Sequence, residues 1–251
     1  MPATPAWPPR SAPRLFVEDE LAEGRILALE GNHVHYLGKV MRMAEGDAVI
    51  LCDNATGEWA ARIDAVGKRR VDVTVTERLR LLEQVPDLWL CPALLKKDRF
   101  DTVLEKATEL GAARIQPVIT RRCVADKLNL DRARSIVTEA AEQCARTALP
   151  ELAEPVKLDA LLRDLPDDRT LFFADELGGE PAAAAFAAHP GPAALLIGPE
   201  GGFDDAERAA IRAHPQARAI TLGPRILRGE TAAIAALSVW MATSGDWRAQ
   251  E

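Results

Sequence analysis

Leu195-Leu196-Ile197-Gly198-Pro199-Glu200-Gly201-Gly202-Phe203 and, later, Ile220-Thr221-Leu222-Gly223-Pro224-Arg225-Ile226-Leu227-Arg228-Gly229-Glu230-Thr231 share one plan. Each is a short apolar run that breaks at glycine-proline and leads into a helix-like run. The reading is a strand, a tight backbone-rich loop and a helix, used twice. Placed side by side at the ends of adjacent parallel strands, two such loops wall a pocket mainly with backbone groups.

Working outward, the region from Gln84-Val85-Pro86 onward alternates strand and helix patterns. Leu88–Leu95 is a continuous apolar run, as expected of a strand buried on both faces. Phe100, Val103, Leu104, Ala107 and Leu110 recur at helical spacing, with Gly111 as the stop. Ile115–Ile119, Leu171–Ala174, Ala193–Ile197 and Ala219–Leu222 read as strands, and Arg132–Ala145 as a helix. Asp204, with Glu207 three residues on, forms a capping-box pattern. Pro181 opens a helix over Ala182–Ala188. Thr231–Met241 is apolar on most sides and predicts a buried helix. The fold class is α/β with a parallel sheet, whose ligands sit at the C-terminal ends of the strands.

Residues 15–80 read differently. Leu15–Val17, Ile26–Leu29, Val49–Cys52, Trp59–Ile63 and Val71–Val75 are short runs separated by Gly, Asp and Asn. Val71, Val73 and Val75 alternate with Asp72 and Thr74, the period of a half-buried strand. The spacing predicts a small β-barrel with one helical insert over His33–Met43. Residues 1–13, carrying five prolines up to Pro13, predict a flexible tail in which Trp7 is the residue able to dock.

The chain has 251 residues, 48% apolar and 27% charged, an ordinary globular composition. No apolar run approaches the ~20 residues of a membrane span. Cys52, Cys91, Cys123 and Cys144 form no close pair, which speaks against disulfides and a zinc site and fits a reducing cytoplasm. The net charge of -7 is uneven: residues 86–150 carry a surplus of two positive charges, and residues 151–251 carry the acidic excess. A local basic face can bind phosphate while the whole chain stays acidic.

Neither glycine loop is a phosphate loop. Between Gly223 and Gly229 there is one residue too many for the G-x-x-x-x-G-K pattern, and Glu230 stands where lysine is required. No G-x-G-x-x-G follows a strand. The loops offer instead backbone N–H and C=O groups suited to the edge of an adenine and the hydroxyls of a ribose.

Five stretches together resemble one family. LLIGPEGGFDDAE at 195–207 and LGPRILRGETAAIAAL at 222–237 look like the C-terminal half of the SPOUT methyltransferases, specifically the RsmE-type enzymes that methylate N3 of a uridine in 16S ribosomal RNA. KKDRFDTVLEKATELGAARIQPV at 96–118, EAAEQCARTALPEL at 139–152 and HYLGKVMRMAEGD at 35–47 extend the likeness in order over residues 14–241. The family's Lys-Gly-Asp-Arg-like stretch stands here as Lys96-Lys97-Asp98-Arg99.

The resemblance implies a flexible tail (1–13), a PUA-like RNA-binding barrel (14–84) and a catalytic domain (85–251) with a deep trefoil knot. It implies a homodimer with S-adenosylmethionine bent into the knot, without a metal. Three loops would hold that cofactor: Phe173, Ala174 and Glu176 on the first; Ile197, Gly198, Pro199, Glu200, Gly201 and Gly202 on the second; Leu222, Gly223, Ile226, Leu227, Arg228 and Thr231 on the third. Ribosomal RNA would meet Arg14, His35, Lys39 and Arg42 from the barrel, and Lys96, Arg99, Glu142 and Arg146 from the catalytic domain.

The chemistry asks for a positioned N3, a route for its proton and stabilisation of charge on the uracil oxygens. Arg228 is the candidate for that charge, since a guanidinium offers two parallel donors; the competing role is a pair with Glu230 or a carbonyl cap. Glu230 either accepts the N3 proton or fixes the loop through backbone N–H groups. Two other functions stay open at this point: ribose 2′-O-methylation by a SPOUT enzyme, and a non-catalytic RNA-binding ribosome-assembly factor.

Overall fold

The computed structural model of the chain describes residues 7–9 and 11–248. They form two compact units. One runs to Gln84 and takes in Ala141–Ala148; the other comprises Val85–Ala140 and the chain from Leu149 onward.

The N-terminal unit is built from β1 (Arg14–Phe16), β2 (Ile26–Glu30), α1 (Asn32–His35), β3 (Ala48–Cys52), β4 (Glu58–Val66) and β5 (Arg70–Arg80). The strands form one sheet in the order β1-β3-β4-β5-β2, parallel only between β1 and β3. Val71, Val73 and Val75 are buried on one face while Asp72 and Thr74 reach the surface, as their alternation predicts. The β4–β5 ladder shifts register at three points, and such bulges bend and twist a sheet. β1 and β2 are edges, so the expected barrel is an open half-barrel.

The expected helix over His33–Met43 is also corrected. α1 lasts one turn and passes into a π-helical turn over Tyr36–Val40, with Gly38 at its centre. Within this segment Leu37 is fully buried, whereas Val40 and Met41 are exposed. Ahead of β1, Arg62 lies over the Trp7 ring at 5.0 Å, and Pro13 O accepts from Ile50 N–H at 2.8 Å. The end of the predicted tail is therefore tied down; residues 1–6 and 10 lie outside the described residues.

The C-terminal unit contains β6 (Leu88–Pro92), α2 (Lys97–Glu109), β7 (Arg114–Ile115), β8 (Val118–Ile119), α3 (Leu130–Cys144, whose last turn belongs to the first unit), β9 (Glu151–Leu152), β10 (Val156–Lys157) and α4 (Leu158–Arg163). It continues with β11 (Thr170–Ala174), β12 (Glu180–Pro181), α5 (Ala182–Ala188), β13 (Ala193–Ile197), α6 (Asp205–Ala213), β14 (Ala217–Thr221) and α7 (Gly229–Thr243). Seven parallel strands run in the order β12-β14-β11-β13-β6-β7-β9, and β8 pairs with β10 in a separate two-stranded ladder.

Three sequence expectations change here. The strand read over Ile115–Ile119 is broken into β7 and β8 by Gln116-Pro117, since a proline cannot donate to the ladder. The run Leu88–Leu95 leaves the sheet at Pro92, although Leu94 and Leu95 stay buried. The two glycine-proline loops do not follow adjacent strands, because β11 lies between β13 and β14. A third loop, after Ala174, is thereby set between them.

α7 buries Ala232, Ala233, Ala236, Leu237, Trp240 and Met241, and packs on α2, α5 and β13. Its alanines let neighbouring backbones approach closely. Phe172 and Phe186 meet edge-to-face at 4.8 Å in the same core.

Candidate active site

Parallel strands aim their C-terminal ends the same way, so the loops after β11, β13 and β14 converge. Between them lies a cavity of about 360 Å³. Ala174 and Glu176 line it from the first loop. Ile197, Gly198, Pro199, Glu200 and Gly202 line it from the second. Leu222, Gly223, Ile226, Leu227 and Arg228 line it from the third.

Local sequence explains each loop. After β13, Pro199 O accepts from Gly202 N–H at 2.9 Å, and Gly202 turns the chain with φ of +65°, a conformation that favours glycine. Asp204 then caps α6: its side chain accepts from Glu207 N–H while the Glu207 carboxylate accepts from Asp204 N–H. The Glu207 backbone bond leads the effects that hold the Asp204 carboxyl below its ordinary pKa, with the Arg121 guanidinium at 2.9 Å also contributing. After β14, Gly223 adopts φ of +111°, and the chain enters α7 at Arg228.

Of the predicted residues, Phe173, Gly201, Thr231 and Glu230 do not line the cavity. Phe173 is buried in the core behind β11, a consequence of side chains alternating along a strand. Gly201 packs against Arg122, whose Nη1 donates to its carbonyl at 2.8 Å. Thr231 lies exposed on α7.

The charged groups are arranged in two sets. The first is buried: Asp175, fully inaccessible, is ion-paired with Arg208 and with Arg212, the latter at 2.6 Å. Arg208 Nη2 also reaches Glu176 Oε1 at 3.0 Å and the Phe203 carbonyl at 3.4 Å. One guanidinium thus joins the first loop to the second. Sequence reasoning missed Asp175 and Arg208; the available signal was a cationic pair at i and i+4 on α6, each beside apolar neighbours.

The second set centres on Arg99, which lines the cavity. Arg99 Nη1 donates to Glu200 Oε1 at 3.1 Å, and its Nε lies 3.8 Å from Glu230 Oε1. Glu230 Oε2 is buried without a hydrogen-bond partner among the described residues. Arg228 neither caps α7 through its side chain nor pairs with Glu230, and its exposed guanidinium borders the cavity.

The residues expected to meet RNA divide. His35, Lys39 and Arg42 are exposed within one short segment, and Lys96 is exposed at the start of α2. Arg14 is engaged with Glu58 at 2.8 Å. Glu142 accepts from Phe16 N–H at 2.9 Å and belongs to the N-terminal unit. Arg146 is buried and donates to the Ala148 carbonyl at 2.9 Å, which removes it as a surface phosphate ligand.

Comparison with known proteins adds the following. The RNA methyltransferase domain family matches residues 83–241, and the RNA methyltransferase PUA domain family matches residues 29–76. The ribosomal RNA small subunit methyltransferase E of Bacillus subtilis is 32% identical over 90% of this chain and 94% of its own. A Legionella pneumophila protein solved in complex with the bound cofactor SAM is 34% identical and superposes with a TM-score of 0.84 over 94% of this chain and 99% of its own. The ribosomal RNA small subunit methyltransferase E of Neisseria gonorrhoeae, solved with S-adenosylmethionine, is 28% identical, with a TM-score of 0.86 over 94% of this chain and 100% of its own.

Proposed function

The chain belongs to the family of ribosomal RNA small subunit methyltransferase E, and from that premise we propose that it transfers the methyl group of S-adenosylmethionine to N3 of a uridine in 16S ribosomal RNA. The observation that carries the reading is the convergence of three parallel-strand loops on one cavity edged by Arg99, Arg228 and the carboxylates of Glu176 and Glu200.

The cavity fits this cofactor. Backbone groups of Ile197, Gly198, Leu222 and Leu227 suit the adenosine, and carboxylates suit a ligand that carries both an ammonium and a sulfonium. When bound, S-adenosylmethionine supplies a methyl group already activated by the positive sulfur.

The remaining work falls to the chain. Arg228 donates to the uracil oxygens and stabilises the negative charge that grows there as N3 loses its proton. As N3 takes the methyl group, its proton passes to the Glu230 carboxylate and from there to solvent. Arg99 holds the Glu200 and Glu230 carboxylates in place, so that the two loops stay in register. Gly223 and Gly229 keep backbone, rather than side chain, at the cavity wall.

The finer architecture belongs to the same proposal. The domains are 14–84 and 85–251, and the loops after β13 and β14 are part of a deep trefoil knot. The protein acts as a homodimer in the cytoplasm. Insertion of β13 between β6 and β11 supports the knot. Ile226, at the cavity, and Leu177, next in sequence to the cavity-lining Glu176, are 89% and 73% exposed and support a partner subunit that covers them. No helix among the described residues is long and apolar enough to cross a membrane.

The test is incubation of the purified protein with labelled S-adenosylmethionine and small ribosomal subunits, followed by nucleoside analysis. The expected product is 3-methyluridine. Label on a ribose, or none on any ribosomal RNA, overturns the reading.

A further inference from the structure

A second cavity, of about 260 Å³, lies in the C-terminal unit among the start of α2, the start of α3 and the segment between Ala125 and Asn129. Its floor is apolar, with Leu95, Phe100 and Leu128. Its rim carries Lys97, Lys127 and Arg132, all exposed. Asp101, the carboxylate that lines it, is ion-paired with Arg132, so the lining keeps an excess of positive charge.

The two cavities share a wall. Leu95 lines the second cavity, and a Cβ added to Gly229, which lines the first, would meet Leu95 Cδ2 at 3.0 Å. The first turn of α2 serves both, with Arg99 at the first cavity and Lys97 and Phe100 at the second.

We propose that the second cavity takes the base of another nucleotide of the RNA, one flanking the target, with the adjoining phosphate on Lys97 and Lys127. This rests on the reading of the first cavity as the methyl-transfer site. The chemistry discriminates among ligands. A free anion has no use for an apolar floor, and an apolar ligand has no use for three cations; a nucleotide uses both. The volume is smaller than the ~300–1,000 Å³ of drug-sized ligand sites, which suits a single nucleotide unit. Single-stranded RNA is read in this way, by bases splayed into pockets while cations track the backbone. A base held here would fix the strand next to the first cavity and so help to place the target uridine.

The test uses the full chain with two variants. Lys127→Gln removes a phosphate contact and leaves the floor intact. Ala125→Leu fills the cavity and leaves the charge intact. Binding of small-subunit RNA, its salt dependence, methyl-transfer kinetics and S-adenosylmethionine affinity are measured for each. Lys127→Gln is expected to reduce the slope of log affinity against log salt by about one. Ala125→Leu is expected to raise the KM for RNA by about tenfold, the scale of one lost base contact, with cofactor affinity unchanged. RNA affinity, salt slope and KM equal to wild type in both variants overturn the proposal. So does a shift of sedimentation behaviour with RNA affinity unchanged, which would make the cavity a contact between two copies of the chain. If the wild type binds RNA with these variant effects but transfers no methyl group, the methyltransferase reading falls and the nucleotide site stands.

Discussion

Arg99, on the first turn of α2, is ion-paired with Glu200, on the loop after β13, at 3.1 Å. The same guanidinium lies 3.8 Å from Glu230 on α7, so it connects both glycine-proline loops across the mouth of the cavity. Both partners are partly exposed, and a pair in such a setting contributes at most about 1 kcal/mol to stability. Its value is positional. Arg99→Gln is expected to leave the unfolding midpoint within a few degrees of wild type and to lower kcat clearly, since both carboxylates lose their common cation. Thermal unfolding read beside single-turnover methyl transfer decides it. A large drop in midpoint with normal kcat would make Arg99 a structural residue only.

Arg228 presents the opposite case, an exposed cation at the cavity edge with no ion-pair partner among the described residues. Nothing in the packing requires its charge. Arg228→Ala is expected to reduce kcat by about 10²-fold or more, the scale seen when one donor to a developing oxyanion is lost, while S-adenosylmethionine still binds. Calorimetry and turnover on the same preparation separate the two effects, and near-normal turnover would take Arg228 out of the chemistry.

Much of this was legible in the residues. The Asp204 and Glu207 pattern is the capping box of α6, and the strands at Leu171–Ala174 and Ala193–Ile197 fall within a residue of their predicted ends. Local signals suffice there, because caps and apolar runs act over a few residues. The charge pairing of the site was not legible. Arg99 and Glu200 are separated by 101 positions in sequence, and Asp175 and Arg208 by 33; only strand order brings them together. The strand order itself depends on the insertion of β11 between β13 and β14, which no single loop encodes. Arg146 shows the reverse error. The resemblance implies an RNA contact for it, whereas the fold buries it against the Ala148 carbonyl.

The buried Asp175 and Arg208 pair gives a prediction about stability. Removing one partner of a buried ion pair leaves an uncompensated charge, at a cost of about 3–5 kcal/mol. Arg212 remains 2.6 Å from Asp175, so the loss for Arg208→Met should fall at the low end of that range. Urea denaturation at neutral pH measures it. A loss below about 1 kcal/mol would mean that Arg212 alone satisfies Asp175.

Gly202 tests the first and second loops together. Its φ is +65°, and a Cβ there would stand 2.8 Å from Glu176 Oε1. The Glu176 side chain can move, but only by leaving Arg208, its partner at 3.0 Å. Gly202→Ala is therefore expected to cost about 1–2 kcal/mol of backbone strain and to weaken S-adenosylmethionine binding through the displaced carboxylate. Isothermal calorimetry with the cofactor checks the second effect; unchanged affinity would remove Glu176 from the binding site.

Glu58 supplies a pH dependence far from the chemistry. Its side chain is nearly inaccessible, and burial on its own would raise its pKa. Hydrogen bonds from Arg80, at 2.6 Å, and from Arg14, at 2.8 Å, outweigh this and hold the carboxyl below its ordinary value of 4.5. A carboxylate whose folded pKa lies below its unfolded one stabilises the fold at pH values above the unfolded pKa. That contribution is lost as pH falls through the folded pKa. At neutral pH, Glu58→Gln should thus be less stable than wild type, because Arg14 and Arg80 lose their common anion. As the pH drops below about 4.5, the two proteins should converge. Denaturant unfolding of both at pH 7 and in the acid range measures the gap. A gap that stays constant, or widens in acid, would show that Glu58 acts through packing and not through its charge.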